Sequence, residues 1–249
     1  MKTAYIMQKE IRESILTAKG FSWYIITSVI LSILSYLFLT NGELSLLDQG
    51  QMIYMLMNFI AALGVLMGIV AGADAFAGEM ERGTIEALLL SPLNKTEIAM
   101  GKLGAVLINW AIIFAISLPY LLIVGKVEQN TLTGILYFVV LGTLLSLIFS
   151  AFSMGLSARI KSMKNTLIIS FMIFLLAGTP IFLSAAQRMT WFGMILDFIN
   201  PFAAAINTFD SVVIDSQGFG YQIMRIAVIC FYTLLSLWFL KRSINKLEI

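Results

Sequence analysis

The 249-residue chain contains no histidine and a single cysteine, Cys230. The absence of histidine excludes imidazole acid–base catalysis, histidine-ligated metal sites and Cys-His nucleophiles, and one cysteine cannot form a disulfide within the chain. The 14 methionines are interpreted as packing residues, because no histidine or second cysteine supports a metal site around them. We therefore expect no catalytic residue, metal or cofactor on this chain.

Charged residues are also scarce. They make up 12% of the chain, whereas soluble domains carry about 25%. Hydrophobic residues make up 59%, and the mean hydropathy is +0.93. These values exclude an ordinary water-soluble globule and make membrane lipid the expected surrounding. The net charge of +2 is too small to predict a nucleic-acid partner.

Long stretches without charge predict helices that cross the bilayer, because a charge at its centre is costly. About 20 residues at 1.5 Å each are needed to cross about 30 Å. Five stretches qualify, and a sixth has Arg225 near its start, where a long side chain can reach the headgroups. We predict an all-α integral membrane protein with one transmembrane domain over residues 1–249. Its predicted elements are an interfacial helix at 1–19 and spans at about 20–42, 49–73, 103–125, 131–158, 165–187 and 221–240.

The distribution of Lys and Arg predicts the orientation of these spans. All of the 16 basic residues except Lys126, Arg188 and Arg225 fall in the N-terminal segment, the second-to-third loop, the fourth-to-fifth loop or the C-terminal tail. Basic loops stay on the cytoplasmic side of a membrane. We therefore expect a multi-pass protein of the cell (inner or plasma) membrane with both termini in the cytoplasm.

The N-terminal segment has the pattern of an amphipathic helix. Ile11, Ile15 and Leu16 recur at helical spacing, and the charged residues around them are mostly expected on the other face. Such a helix would lie along the inner membrane surface. The alternative is a polar flank that only helps the first span to insert.

The loop between spans 2 and 3 carries a pattern typical of a short docking helix. Gly83 ends the polar run, Thr84 is placed to cap a helix with Glu86 in its first turn, and Ser91-Pro92 would end that helix. Leu88, Leu89 and Leu90 would give the helix an apolar side for a partner groove. Asn94 or Thr96 is expected to cap the next helix. The alternative is a solvated connector with a local ion pair.

The external segment from Arg188 to Gly220 mixes apolar and acidic residues. We expect short helices around Pro201 that dip into the outer leaflet. Either a gate at the outer mouth or a plain amphipathic linker is compatible with this pattern.

The run Gly78–Glu86, followed by leucines, Ser91-Pro92-Leu93 and Gly101-Lys102, resembles the signature loop of the type-two (ABC-2) exporter permeases. The resemblance implies an interfacial elbow helix, a cytoplasmic coupling helix between spans 2 and 3, and a re-entrant external hairpin before span 6. The implied ATPase-coupling residues are Glu79, Glu81, Arg82, Gly83, Thr84 and Glu86. The implied elbow residues are Lys9, Glu10, Arg12 and Glu13, and the implied external gate consists of Asn200, Pro201 and Phe202.

The resemblance also implies a permease that pairs with a second copy of itself or a similar chain. A separate cytoplasmic ATPase would bind the ATP and Mg, and this chain itself has no phosphate-binding loop of the Gly-x-x-x-x-Gly-Lys-Ser/Thr type. No charged residue is expected deep in a span, which favours an amphipathic or lipid-like cargo over a small ion. The alternative is a membrane-embedded scaffold or assembly factor without transport activity.

Overall fold

The computed structural model describes residues 2–16, 18–40, 49–86, 90, 93–126, 130–182, 187 and 190–247. This part of the chain is almost entirely helical and contains no strand. Its helices are α1 (Lys2–Leu16), α2 (Ala18–Thr40), α3 (Gln49–Ala73), α4 (Lys95–Val124), α5 (Thr131–Ile160), α6 (Met163–Gly178), α7 (Trp191–Ile199), α8 (Pro201–Val213) and α9 (Phe219–Asn245).

Within the described residues, five helices are long and apolar enough to cross a membrane: α2, α3, α4, α5 and α9. At the fifth predicted span, 165–187, the α-helix ends earlier than expected. Its α-helix, α6, has 16 residues and covers about 24 Å, because Pro180 lacks the N–H that would continue the α-helical ladder. A 3₁₀ turn, Thr179–Phe182, follows and adds about 8 Å.

Three predicted spans lie within longer helical segments. Helix α3 ends at Ala73, as predicted, and the chain then continues through a π-helical turn, Asp74–Gly78, and one α-helical turn, Glu79–Glu81. Helix α4 begins at residue 95, directly after one of its two predicted caps and ahead of the predicted span at 103, and α9 covers 219–245 rather than 221–240. Charged residues outside the hydrocarbon core do not end a helix, so charge-free stretches underestimate helix length. Asn94 is the N-cap of α4, as predicted, and its amide donates to Glu97 Oε2 at 2.9 Å.

Helix α5 lies at the centre of the bundle and packs against α3, α4, α6, α8 and α9. Glycines on α3 permit close approach: a Cβ at Gly72 would lie 2.7 Å from the Ser150 carbonyl oxygen of α5, and one at Gly64 would lie 2.2 Å from the Trp110 ring. Trp110 in turn packs edge-on against Phe138 at 5.9 Å. This packing holds the end of α3 firmly against α5.

Helix α1 packs on α4. Ile6 is buried, and a Cβ at Gly104 would lie 2.9 Å from the Met7 sulfur. Three of the four charged residues at positions 9–13 are exposed, as expected. Lys9 and Glu13 are exposed and pair at 3.7 Å, but Glu10 faces α4, because a buried lysine of that helix attracts its carboxylate. Arg12 is exposed.

Candidate functional site

The π-helical turn at the end of α3 is held by one serine of α5. Ser157 Oγ accepts hydrogen bonds from the amides of Ala77 at 2.7 Å and Phe76 at 3.2 Å, and it donates to the Ala73 carbonyl at 2.7 Å. A π turn disrupts the α-helical bonding ladder, and the serine hydroxyl supplies partners to the freed backbone groups. The α3 extension, residues 74–81, is therefore fixed to α5 at its root.

A buried lysine connects this extension to two other helices. Lys102 Nζ of α4 lies 3.3 Å from Glu79 Oε1 and 2.5 Å from Glu10 Oε1 of α1. The exposed fractions of the three side chains are 4% for Lys102, 9% for Glu79 and 23% for Glu10. Charges removed from water in this way interact more strongly than surface pairs. This ionic cluster, Glu10, Glu79 and Lys102, joins α1, α4 and the α3 extension.

Thr84 bonds backwards to the same glutamate. Its amide donates to the Glu79 carbonyl at 2.9 Å, and its hydroxyl donates to that carbonyl at 3.2 Å and to Glu79 Oε2. The hydroxyl therefore stabilises the preceding turn, and Thr84 lies directly before the helical Ile85. Ile85 and Glu86 are helical, as predicted, and the Leu90 amide donates to the Glu86 carbonyl at 2.9 Å. The rest of the predicted docking helix, 87–89 and 91–92, lies outside the described residues.

An ion pair between Arg82 and Asp74 lies on the exposed side of the turn. Arg82 donates from two nitrogens to the two carboxylate oxygens of Asp74, at 2.8 and 3.3 Å. The hydrogen bond to Asp74 raises the pKa of Arg82 above its usual value, so the guanidinium stays charged. Gly78 leaves room for this pair, since a Cβ there would lie 1.9 Å from Asp74 Oδ1. Gly83 follows with φ of 70°, a left-handed conformation that favours glycine.

Glu81 joins the turn to α6. Its Oε1 accepts a hydrogen bond from the Met163 amide at 2.8 Å. This amide is at the N-terminus of α6, where the helix dipole favours a negative charge. The α3 extension thus contacts α4, α5 and α6, and it is linked to α1 through Lys102.

The six residues predicted for ATPase coupling divide into two groups. Glu79 is buried in the ionic cluster, whereas Glu81, Arg82, Gly83, Thr84 and Glu86 are exposed. Leu90, slightly further along the chain, is 78% exposed. We call residues 81–86 the exposed tip. It continues the α3 extension, which forms the root of the tip and is bonded to α4, α5 and α6 and linked to α1 through Lys102.

The residues predicted as an external gate form a joint between α7 and α8. Asn200 Oδ1 accepts from the amides of Phe202 at 2.9 Å and Ala203 at 3.3 Å, and its Nδ2 donates to the Ala177 carbonyl of α6 at 2.8 Å. Pro201 occupies the first turn of α8, where its missing N–H costs nothing. Phe202 is fully buried and packs edge-on against Phe174 at 5.7 Å. Two short helices do meet at Pro201, as expected.

Sequence reasoning missed the roles of Lys102, Ser157 and Arg225. Lys102 lies three and four residues after the buried Ala99 and Ile98, a spacing that places it on their helix face. Arg225 was expected to reach the headgroups, but it faces α8 and donates to Ser211 Oγ at 2.7 Å. No comparable signal marked Ser157. The described residues contain no group of three or more His, Cys, Asp or Glu that could hold a metal ion.

The fold and the site define a multi-pass helical membrane protein with an ordered polar turn between two of its spans. Residues 4–243 match the family model described as ABC-2 family transporter protein. Because the match covers nearly the whole chain, the chain belongs to this family and is a transmembrane subunit of an ABC transporter. Members are generally non-catalytic themselves and associate with a cytoplasmic ATPase component. No curated protein matches the chain.

Proposed function

We propose that the chain is the permease subunit of an exporter, in which two copies form the pathway and a separate cytoplasmic ATPase binds ATP and Mg. The exposed tip, 81–86, is the proposed contact with the ATPase. Alternating closure of the pathway would then follow nucleotide binding on the partner. The chain lies in the cell membrane with both termini in the cytoplasm, and α6 with its 3₁₀ turn provides the sixth crossing.

One observation carries this proposal: the tip is exposed, but its root is bonded to α4, α5 and α6 and linked to α1 through Lys102. A movement of the tip would be transmitted to α4 through the ion pair of Glu79 and Lys102, and from Lys102 to α1 through Glu10. It would reach α6 through the hydrogen bond of Glu81. A solvated connector needs no such attachment. The proposed roles are a coupling element for 79–86 and an elbow for α1.

The cargo is proposed to be amphipathic or lipid-like. Arg225, six residues after the start of α9, is bonded to Ser211 and Gln222. A pathway with no free charge selects poorly for small ions. The joint at Asn200, Pro201 and Phe202 is proposed to gate the outer mouth, since it links α6 to the hairpin of α7 and α8.

The test is purification of the tagged chain from its own membranes, followed by identification of bound proteins and assay of ATP hydrolysis. We expect an ATP-binding-cassette ATPase to co-purify and to hydrolyse ATP, and the chain freed of other proteins to be inactive. Hydrolysis by the isolated chain would overturn the permease proposal. Co-purification of membrane proteins without any ATPase would favour a scaffold.

A further inference from the structure

A cavity of about 360 Å³ lies between α5, α6 and α9, close to the joint at Pro201. Its lining is apolar and partly aromatic: Phe149 and Phe152 come from α5, and Trp238 and Phe239 from α9. The volume is within the usual range for small-molecule sites, about 300–1,000 Å³. Trp238 is 55% exposed, so the cavity reaches the outer surface of the bundle.

The part of the lining that comes from α9 extends from Tyr232 to Phe239, a rise of about 10 Å along the helix. One end is fixed by the stacked rings of Phe152 and Phe239, with centroids 5.4 Å apart. Gly155 makes room for them, since a Cβ there would lie 2.7 Å from the Phe239 ring.

Two arginines cover the lining at that same end. The Arg159 guanidinium lies 4.7 Å from the centroid of the Phe239 ring, and that of Arg242 lies 5.3 Å from the centroid of the Trp238 ring. Arg159 Nε donates to Ser243 Oγ at 2.8 Å, which orients the guanidinium. Among the described residues, no carboxylate forms a salt bridge with either arginine. The site therefore combines an apolar slot with two cations held at one end.

We propose that this slot binds an anionic phospholipid resident in the membrane, with an acyl chain in the cavity and its phosphate at Arg159 and Arg242. The apolar lining matches an acyl chain, and guanidinium groups match phosphate oxygens in charge and geometry. The inference requires only that the chain is embedded in a bilayer, so it stands independently of the proposed transport function.

The test is native mass spectrometry of the full chain released from detergent, titrated with phosphatidylglycerol or with phosphatidylcholine of the same acyl chains. We expect one phosphatidylglycerol per chain to be retained in preference to phosphatidylcholine. The double variant R159Q/R242Q should weaken this retention about 25-fold, because each basic residue beside an anionic headgroup contributes roughly fivefold. R242Q alone, which removes an exposed side chain, should weaken it about fivefold.

The matched control is K241Q/K246Q, which removes two exposed cations from the same end of α9 but leaves both ring contacts. It should retain phosphatidylglycerol like the parent. A second variant, Ala177→Phe, adds a ring to the cavity lining and should reduce retention of both lipids while the arginines remain. Equal retention of the two lipids, or unchanged retention in R159Q/R242Q and R242Q, would overturn the proposal. The proposal would also be overturned if the lipid titration changed the ratio of monomer to dimer without changing the amount of bound lipid, since a second copy of the chain would then cover the slot.

Discussion

The ammonium of Lys102 lies 3.3 Å from the carboxylate of Glu79, and the exposed fractions of the two side chains are 4% and 9%. The two residues are 23 positions apart, on either side of the exposed tip. Their contact closes the base of this segment, so the tip projects from a fixed pair rather than from two independent helices. Glu10 completes the cluster from α1.

Replacing Lys102 by Met should strongly destabilise the fold. The substitution removes the only cation within salt-bridge distance of Glu79 and Glu10 in the described residues and leaves the Glu79 carboxylate buried. Breaking a buried pair in this way costs about 3–5 kcal/mol. The measurement is the free energy of unfolding of the detergent-solubilised chain.

Lys9→Met is the matched control, because Lys9 pairs with Glu13 while both side chains are half-exposed. It should cost less than about 0.5 kcal/mol. Equal losses in the two variants would show that the cluster contributes no more than a surface pair.

The sequence predicted helix positions better than it predicted contacts. Four of the five charge-free stretches and the sixth predicted span, which contains Arg225, coincide with helices long enough to cross a membrane, and local capping chemistry located the start of α4 at Asn94. The end of α6 was misplaced because charge counting ignores Pro180. The burial of Lys102 was missed because its partners come from α1 and α3, and such long-range pairing leaves no local pattern. Glu79 was predicted as part of the contact with the ATPase, but it is buried, so it also stabilises the packing of the α3 extension against α4.

Arg82→Ala should uncouple transport from ATP hydrolysis while leaving the fold intact. Its ion pair with Asp74 is about half-exposed, so its loss should cost under about 1 kcal/mol of stability. If the ATPase covers this pair, truncation should cost about 2–5 kcal/mol at the interface. Transport by the assembled complex, measured beside ATP hydrolysis and expression, provides the test. Lys246→Ala removes another exposed cation, to which no role in coupling is assigned, and should transport normally, and normal transport by Arg82→Ala would mean that the loop is only a connector.

Substitutions at Gly83 should separate backbone strain from side-chain crowding. A Cβ at Gly83 would meet no atom within 4 Å, but the residue has φ of 70°. Gly83→Ala should therefore lose roughly 1–2 kcal/mol through conformation alone, whereas Gly83→Asn should lose less because asparagine tolerates this region. Gly83→Pro should be the worst, since its ring fixes φ near −65°. This explanation would be contradicted if Gly83→Ala had a higher free energy of unfolding than Gly83→Asn.

Reporter fusions should establish the proposed orientation. Fusions at Asn41 and Gln129 should report the outside, and fusions at Lys95 and Lys164 the inside, because basic loops remain in the cytoplasm. Lys164 lies in the first turn of α6, so this fusion reports the side on which α6 begins. A Lys164 reporter on the outside would show that the four preceding spans do not all cross, and it would break the six-span arrangement.

Ser157→Ala should destabilise the π-helical turn and, through it, the exposed tip. The substitution removes the Ser157 hydroxyl. The amides of Phe76 and Ala77 and the carbonyl of Ala73 then lose this hydrogen-bond partner, although they remain buried. A buried polar group without a partner costs about 1–3 kcal/mol. Ser150→Ala is the control, because Ser150 lies on the same helix and its hydroxyl donates only to the Leu147 carbonyl of its own helix, at 3.3 Å. Hydrogen exchange of the Ala77 amide and the free energy of unfolding should both change in Ser157→Ala and stay close to the parent in Ser150→Ala. If the two variants exchange alike, the π turn is held by the packing of α3 on α5 and not by the Ser157 hydroxyl.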